Sequence, residues 1–170
     1  MSRSETQIGE AFVGEGANAA HVNTVLGRKG GPVETAWATA LATPRQGHAA
    51  FVVTHQPSLA VKPATLFVNK ADIRGDRHAE LTWGAAQAGV ARGVMKAVSD
   101  GTIPAGESDA LLLIAAVWVN WKAADDALVY EHNAEATRLA LEAGARGLPL
   151  LEDVLGAGEP WNAFFRPLDG

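Results

Sequence analysis

Ile8, Ala11 and Val13 are interleaved with polar or small residues, and Gly14-Glu15-Gly16 then breaks the pattern. This spacing predicts a strand closed by a turn. Ala20 to Leu26 reads as a second strand, on which His21, Asn23 and Val25 share one face and Val22, Thr24 and Leu26 the other. A loop is expected over Gly27-Arg28-Lys29-Gly30-Gly31, with Pro32 in the first turn of a helix. That helix, Val33 to Ala42, carries Val33, Ala36, Trp37, Ala40 and Leu41 at helical spacing. Ala49 to Thr54 predicts a short strand, Gln56-Pro57-Ser58 a turn, and Ala64 to Ile73 a returning strand. Gly75-Asp76 opens a long helix that Gly101 stops. Asp109 to Val119 is the most buried-looking strand, Ala123 to Ala145 a final long helix, and the tail from Leu148 holds one short helix. The final helix carries Leu128, Ala136, Leu139, Ala140 and Ala143 on its expected apolar stripe.

Strands thus alternate with helices, which predicts an α/β or α+β two-layer domain, a mixed sheet with helices packed on one face. One helix stands apart because Gly84, Ala85, Ala86, Ala88, Gly89, Ala91 and Gly93 crowd it. Glycine within a helix costs about 1 kcal/mol relative to alanine, so this run implies close approach of a sheet, another helix or a ligand. The 170 residues suit a single domain over 1–170.

Composition narrows the function classes. Hydrophobic residues make up 48% and charged residues 19%, and mean hydropathy is near zero, which fits a subunit that hides surface in an oligomer. The net charge of −5 and the absence of any basic cluster beyond Arg28-Lys29 argue against nucleic acid as a partner. With no cysteine there is no disulfide, thiolate metal site or cysteine nucleophile. The polar start Met1-Ser2-Arg3-Ser4-Glu5 reads as no signal peptide, and the longest apolar run, Ala110 to Val119, is too short for a membrane span. A cytoplasmic protein with no membrane partner is expected.

Three polar residues in apolar surroundings are candidates for chemistry. His21 can act as a general acid near neutrality, with Asn23 projecting beside it to hold a ligand. The plain alternative is a strand histidine facing solvent or a backbone carbonyl. Lys70 ends the otherwise apolar part of its strand, where a lysine can form a Schiff base, steer an anion or pair with a carboxylate such as Asp72, two residues on and facing the same side. Gln87 either sits on the surface or presents its amide to a ligand, with Gly84 permitting close approach. His21, His48, His55, His78 and His132 lack two-ligand helical spacing, so no metal is expected. No dinucleotide fingerprint, P-loop or nucleophile elbow is present. Trp83, Trp118 and Trp121 read as core or interface anchors.

Several short motifs in order resemble the formaldehyde-activating enzyme family. They are Val13-Gly14-Glu15-Gly16-Ala17-Asn18-Ala19-Ala20-His21, Lys62-Pro63-Ala64-Thr65-Leu66 with Asn69-Lys70, Gly84-Ala85-Ala86-Gln87, and Gly101-Thr102-Ile103-Pro104. Tyr130 and Asn133 with Glu135-Ala136-Thr137, and Leu148-Pro149 through Asp153-Val154-Leu155, continue the match, collinear from about residue 7 to 155. The resemblance implies a ribosomal-protein-S5-domain-2-like fold, a homopentamer, and condensation of formaldehyde with tetrahydromethanopterin to methylene-tetrahydromethanopterin and water, a lyase reaction of one-carbon metabolism without a metal. It implies a pterin cleft between subunits, His21 as the catalytic acid, and Asn23, Val52, Lys70, Asp72 and Gln87 at substrate-binding positions. The chain departs from the family at four places. Asn23 stands where the family has aspartate, Asp72 where it has threonine, and Val52 where it has leucine. Trp161-Asn162-Ala163-Phe164-Phe165 replaces a His-Pro-Phe ending. The alternative implied by these changes is a paralogue that binds a pterin or formaldehyde adduct as carrier or sensor.

Overall fold

The computed structural model describes residues 6–167; the polar start Met1–Glu5 and residues 168–170 lie outside them. The strands are β1 (Thr6–Val13), β2 (Ala20–Arg28), β3 (Ala50–Val52), β4 (Thr54–Gln56), β5 (Leu59–Ala60), β6 (Ala64–Asn69) and β7 (Leu111–Trp118). The helices are α1 (Pro32–Ala42), α2 (Gly75–Glu80), α3 (Gln87–Ser99), α4 (Asp126–Arg146) and α5 (Leu151–Gly156), with a π-helical segment, Leu81–Ala86, joining α2 to α3. The main sheet runs β1-β2-β7-β6-β3, and β4-β5 form a small separate hairpin. Only β6 and β7 are parallel, so the sheet is mixed, as the alternation of elements predicts.

Alternation on the strands sorts the two faces. Val22, Thr24 and Leu26 of β2 are buried while His21, Asn23 and Val25 are half-buried. Phe67 of β6 and Leu113, Ala115 and Val117 of β7 join the first set in the main core, beneath Val90, Val94 and Ala97 of α3 and Val129, Ala136 and Ala140 of α4. Each large side chain buried there contributes about 1.5–3 kcal/mol. α1 lies over the other face, where it borders a groove with Ala50 and Val68, a directly opposed β3–β6 pair. Of its expected apolar stripe Val33 is buried, whereas Ala36 and Leu41 are exposed.

The small-residue run has a packing cause. A Cβ on Gly89 would strike the Tyr130 carbonyl of α4, and one on Gly93 would meet the side chain of Thr137 at 2.6 Å. The helices therefore approach each other almost backbone to backbone. Gly84 is different: a Cβ there would meet nothing within 4 Å, so no packed neighbour in the chain requires glycine at that position. α4 begins at Asp125, whose carboxylate accepts from the Leu128 N–H at 3.0 Å, and ends at Gly147 with φ 66°. Its apolar face differs from the expected stripe: Val129, Ala134 and Leu141 are buried and Leu128 is 43% exposed.

Three boundaries differ from expectation. β2 continues through Gly27 and Arg28 because β7 pairs with both. The strand expected over Ala49 to Thr54 is broken at Val53, and the turn expected at Gln56-Pro57-Ser58 closes a separate β4–β5 hairpin. The strand expected to reach Ile73 ends at Asn69, whose side-chain amide donates to the carbonyls of Gly47 and Ala71 and bends the chain out of the sheet.

Candidate active site

The turn between β1 and β2 places His21. Gly14, at φ 87°, leaves no room for a Cβ because the His132 ring lies 2.5 Å from that position. Asn18 then accepts from the N–H groups of Ala124 and Asp125 at 3.0 and 3.1 Å, tying the turn to the start of α4. The glycine-rich motif is thus a fixed corner that sets the β1–β2 register, with Phe12 opposite His21 and Glu10 opposite Asn23. Across β2, His21 faces Trp118 and Asn23 faces Ala116 of β7.

Lys70 arrives from the far side of β7. It lies one residue beyond β6, and its N–H still donates to the Val117 carbonyl at 2.8 Å. Its side chain spans β7 at the level where position 116 is only an alanine, and Nζ donates to Asn23 Oδ1 at 2.6 Å. The same Nζ lies 3.2 Å from His21 Nδ1, and His21 Nε2 lies 2.8 Å from Glu10 Oε1. A protonated Lys70 requires Nδ1 to accept, so neutral His21 carries its proton on Nε2 and donates it to Glu10.

These neighbours set the proton affinities. Burial lowers the His21 pKa from its ordinary value, the Lys70 charge lowers it further, and Glu10 opposes both. Lys70 is lowered as well, by burial first, with Glu10 partly offsetting it. The sign for stability follows. As pH falls from about 6.5, the unfolded chain protonates its histidine before the folded chain does, so His21 removes stability until the folded-state pKa is passed. Above about 6.5 its contribution is constant. Urea midpoints of His21→Gln are therefore expected to depend less on pH than those of the wild type just below pH ~6.5; parallel curves would contradict the depressed pKa.

The remaining candidates lie elsewhere. Val52 and Gln87 line a recess of about 270 Å³ at the β3 edge, with Ala49, Phe51, Thr54 and Trp83. Trp83 in the π-helical segment and Gln87 four residues on share one helix face. Gln87 Oε1 accepts from the Thr54 N–H at 2.6 Å, which leaves its amide NH2 group for a ligand. Asp72 does not pair with Lys70. It bonds His48 Nε2 at 2.6 Å, while His48 Nδ1 lies 2.9 Å from the Asn69 carbonyl. The loop that follows Asn69 ends the strand alternation that would have kept residues 70 and 72 on one side.

Two of the three tryptophans expected as core or interface anchors lie outside the core. Trp83 and Trp121 are 49% and 45% exposed. Trp121 donates from Nε1 to the Asp72 carbonyl and carries the Arg74 guanidinium 3.7 Å above its ring. Trp118, opposite His21 in the β2–β7 register, and Phe164 of the C-terminal tail stand edge to face with ring centroids 5.5 Å apart. His78 is a satisfied core histidine, with its Nε2 3.0 Å from the Val119 carbonyl. Glu10 is the residue that the sequence reading missed. Its signal was available, since antiparallel pairing about the 14–19 turn puts position 10 opposite 23. Among the described residues no group of three or more His, Asp or Glu could hold a metal, and no helix is long and apolar enough to cross a membrane.

A half-buried imidazole, amine and amide, open to solvent on one side, make a site for proton transfer to a small polar substrate. The family model described as formaldehyde-activating enzyme (Fae) matches residues 8–162. The chain belongs to the formaldehyde-activating enzyme family. It is similar to the 5,6,7,8-tetrahydromethanopterin hydro-lyase of Methanosarcina barkeri, at 40% identity over 93% of this chain and 89% of that protein. It is also similar to the bifunctional enzyme Fae/Hps of Methanococcoides burtonii, at 38% identity, and to that of Archaeoglobus fulgidus, at 36%. There it covers 87% and 89% of its own length but only 37% and 38% of theirs. The chain thus spans less than two fifths of the length of those bifunctional enzymes.

Proposed function

We propose that this chain condenses formaldehyde with tetrahydromethanopterin, releasing water and methylene-tetrahydromethanopterin. The observation that carries the reading is the His21–Lys70–Asn23 cluster within a chain that is 40% identical to a tetrahydromethanopterin hydro-lyase. Amine addition to formaldehyde gives a carbinolamine, and its hydroxyl must leave as water. An acid positioned at that hydroxyl speeds the step by about 10²–10⁴-fold. His21 supplies the proton. Its lowered pKa makes the imidazolium a stronger acid, and Glu10 at Nε2 keeps the ring oriented and limits the loss of the protonated form. Asn23 and Lys70 hold polar groups of the substrates beside it.

The Trp83, Phe51 and Gln87 recess suits the flat heterocycle: two aromatic side chains offer apolar walls and the Gln87 amide a hydrogen-bond donor. Asp72 is held by His48 and does not pair with Lys70, which favours the enzyme over a carrier or sensor.

Two strands separate His21 on β2 from Val52 on β3, a span of about 14 Å at ~4.8 Å per strand. A homopentamer in which one copy's Val52 and Gln87 face another copy's His21 and Lys70 would join the halves. The test is the rate of formaldehyde condensation with tetrahydromethanopterin over the spontaneous reaction, together with the sedimentation mass. Acceleration by a species of several subunits is expected. No acceleration by folded protein would remove the reaction, and an active monomer would remove the shared cleft.

A further inference from the structure

Lys70 differs from the other four lysines of the chain. Lys29, Lys62, Lys96 and Lys122 are exposed, whereas Lys70 is half-buried. Lys62 pairs with the Asp109 carboxylate. Lys70 Nζ instead meets the neutral oxygen of Asn23 and the ring nitrogen of His21. Among the described groups around it, Glu10 from β1 is the carboxylate that acts on it, and Glu10 bonds His21. An amine in such surroundings is held for contact with a ligand and gives up its proton more readily than an exposed one.

We propose that Lys70 Nζ is a covalent docking site for formaldehyde, taking up the one-carbon unit as an imine before the pterin does. This rests on the reaction assigned above and adds a nucleophile to it. The neutral amine attacks the carbonyl carbon, a C–N bond forms, and the carbonyl π pair moves to oxygen. Transfer of one proton from nitrogen to that oxygen gives Lys–NH–CH2–OH. His21, 3.2 Å from Nζ, donates a proton to the hydroxyl, which leaves as water, and the nitrogen lone pair makes Lys–NH=CH2 with one positive charge. An amine of the acceptor then adds to the methylene carbon. Its proton passes to Nζ, the Nζ–C bond breaks, and Lys70 departs as a neutral amine. Closure by the acceptor's second amine releases the proton that restores His21. One formaldehyde and two N–H groups become N–CH2–N and water, with no oxidant or reductant required. Asn23 favours this course because an amide, unlike a carboxylate, does not hold Nζ in the charged form.

The experiment is reductive trapping of wild-type protein in dilute formaldehyde and sodium cyanoborohydride, with methylation of each lysine followed by peptide mass spectrometry. Lys70 is expected to label about tenfold faster than Lys29, Lys62, Lys96 and Lys122, as a desolvated amine beside an acid should. In His21→Ala its rate should fall toward theirs. Labelling of wild-type Lys70 at or below the exposed lysines overturns the proposal, and if the protein still accelerates the condensation, the reaction itself stands. Rapid labelling of Lys70 without any acceleration removes the reaction and keeps the formaldehyde site. Lys70→Arg separates covalent from positioning roles. Arginine keeps the charge and the bond to Asn23 but forms no such imine, so wild-type acceleration in this variant overturns the relay.

Discussion

His21→Ala is expected to lower the enzymatic acceleration of formaldehyde condensation by about 10²–10⁴-fold and to leave the fold intact. The fold survives because the His21 side chain is 35% exposed and its partner Glu10 is 59% exposed, so removing the ring empties no part of the core. The chemical step does not survive, since no other titratable group on that side of β2 lies within hydrogen-bonding distance of Lys70 Nζ among the described residues. His21→Gln distinguishes the proton from the hydrogen bond. Its amide can still donate toward Glu10, yet it has no proton to give at neutral pH. Equal losses in both variants locate the effect in proton transfer. A His21→Gln enzyme with wild-type rates across the pH range would remove His21 as the acid. Asn23→Ala, which deletes a contact without deleting the acid, should act less on the maximal rate and more on the concentration of substrate needed to reach it.

The contrast between His21 and Lys70 explains what the sequence disclosed. The facing of His21 and Asn23 follows from the pleat, because residues two apart on a strand share a side wherever that strand lies. The helix–strand order is legible for a similar reason: each long element carries its own period and stop, as with Gly101 at φ 84° and Gly147 at φ 66°. The partner of Lys70 depends instead on three strands that are distant in sequence. β6 must lie parallel to β7 in a register with Val68 beside Ala116, and β7 antiparallel to β2 with Asn23 beside Ala116. No local pattern encodes that pairing, so the nearest carboxylate in sequence, Asp72, looked like the natural partner. The Asn69 amide decides otherwise by bending the chain and delivering Asp72 to His48. Of the short β4–β5 hairpin only the turn at Gln56-Pro57-Ser58 was legible, since two- and three-residue strands are too brief to show a period. The grouping of Val52 with Gln87 came from family resemblance alone. The structure gives it a physical basis in the Thr54-to-Gln87 hydrogen bond.

Gly9→Val is expected to be the most destabilising substitution outside the His21–Lys70–Asn23 cluster. A Cβ at Gly9 would fall inside the van der Waals boundary of the Ala140 carbonyl of α4 and would also meet Thr24 Oγ1 at 3.0 Å. Both obstacles are fixed, one a helix backbone and the other a buried strand residue, so β1 or α4 must move. The contact is reciprocal. A Cβ on Gly144, one helical turn along, would lie 3.2 Å from the Ile8 carbonyl carbon. Overpacking of this kind costs about 1–3 kcal/mol and at times more, and for a chain of this size each kcal/mol lowers the melting temperature by roughly 2–4 °C. Gly106→Ala is the matched control, because a Cβ there meets nothing within 4 Å and the residue does not have a positive φ; it should leave the melting temperature nearly unchanged. The consequence reaches the site as well, since Glu10 follows Gly9 directly on β1 and is the group that raises the His21 pKa against burial and Lys70. A β1 pushed away from α4 carries Glu10 off Nε2, so the His21 pKa should fall further. NMR titration of His21 in folded Gly9→Val is the measurement. An unaltered titration with a lowered melting temperature would mean that α4 yields instead of β1, leaving the corner at Gly14 and Asn18 to hold His21 on β2 by itself.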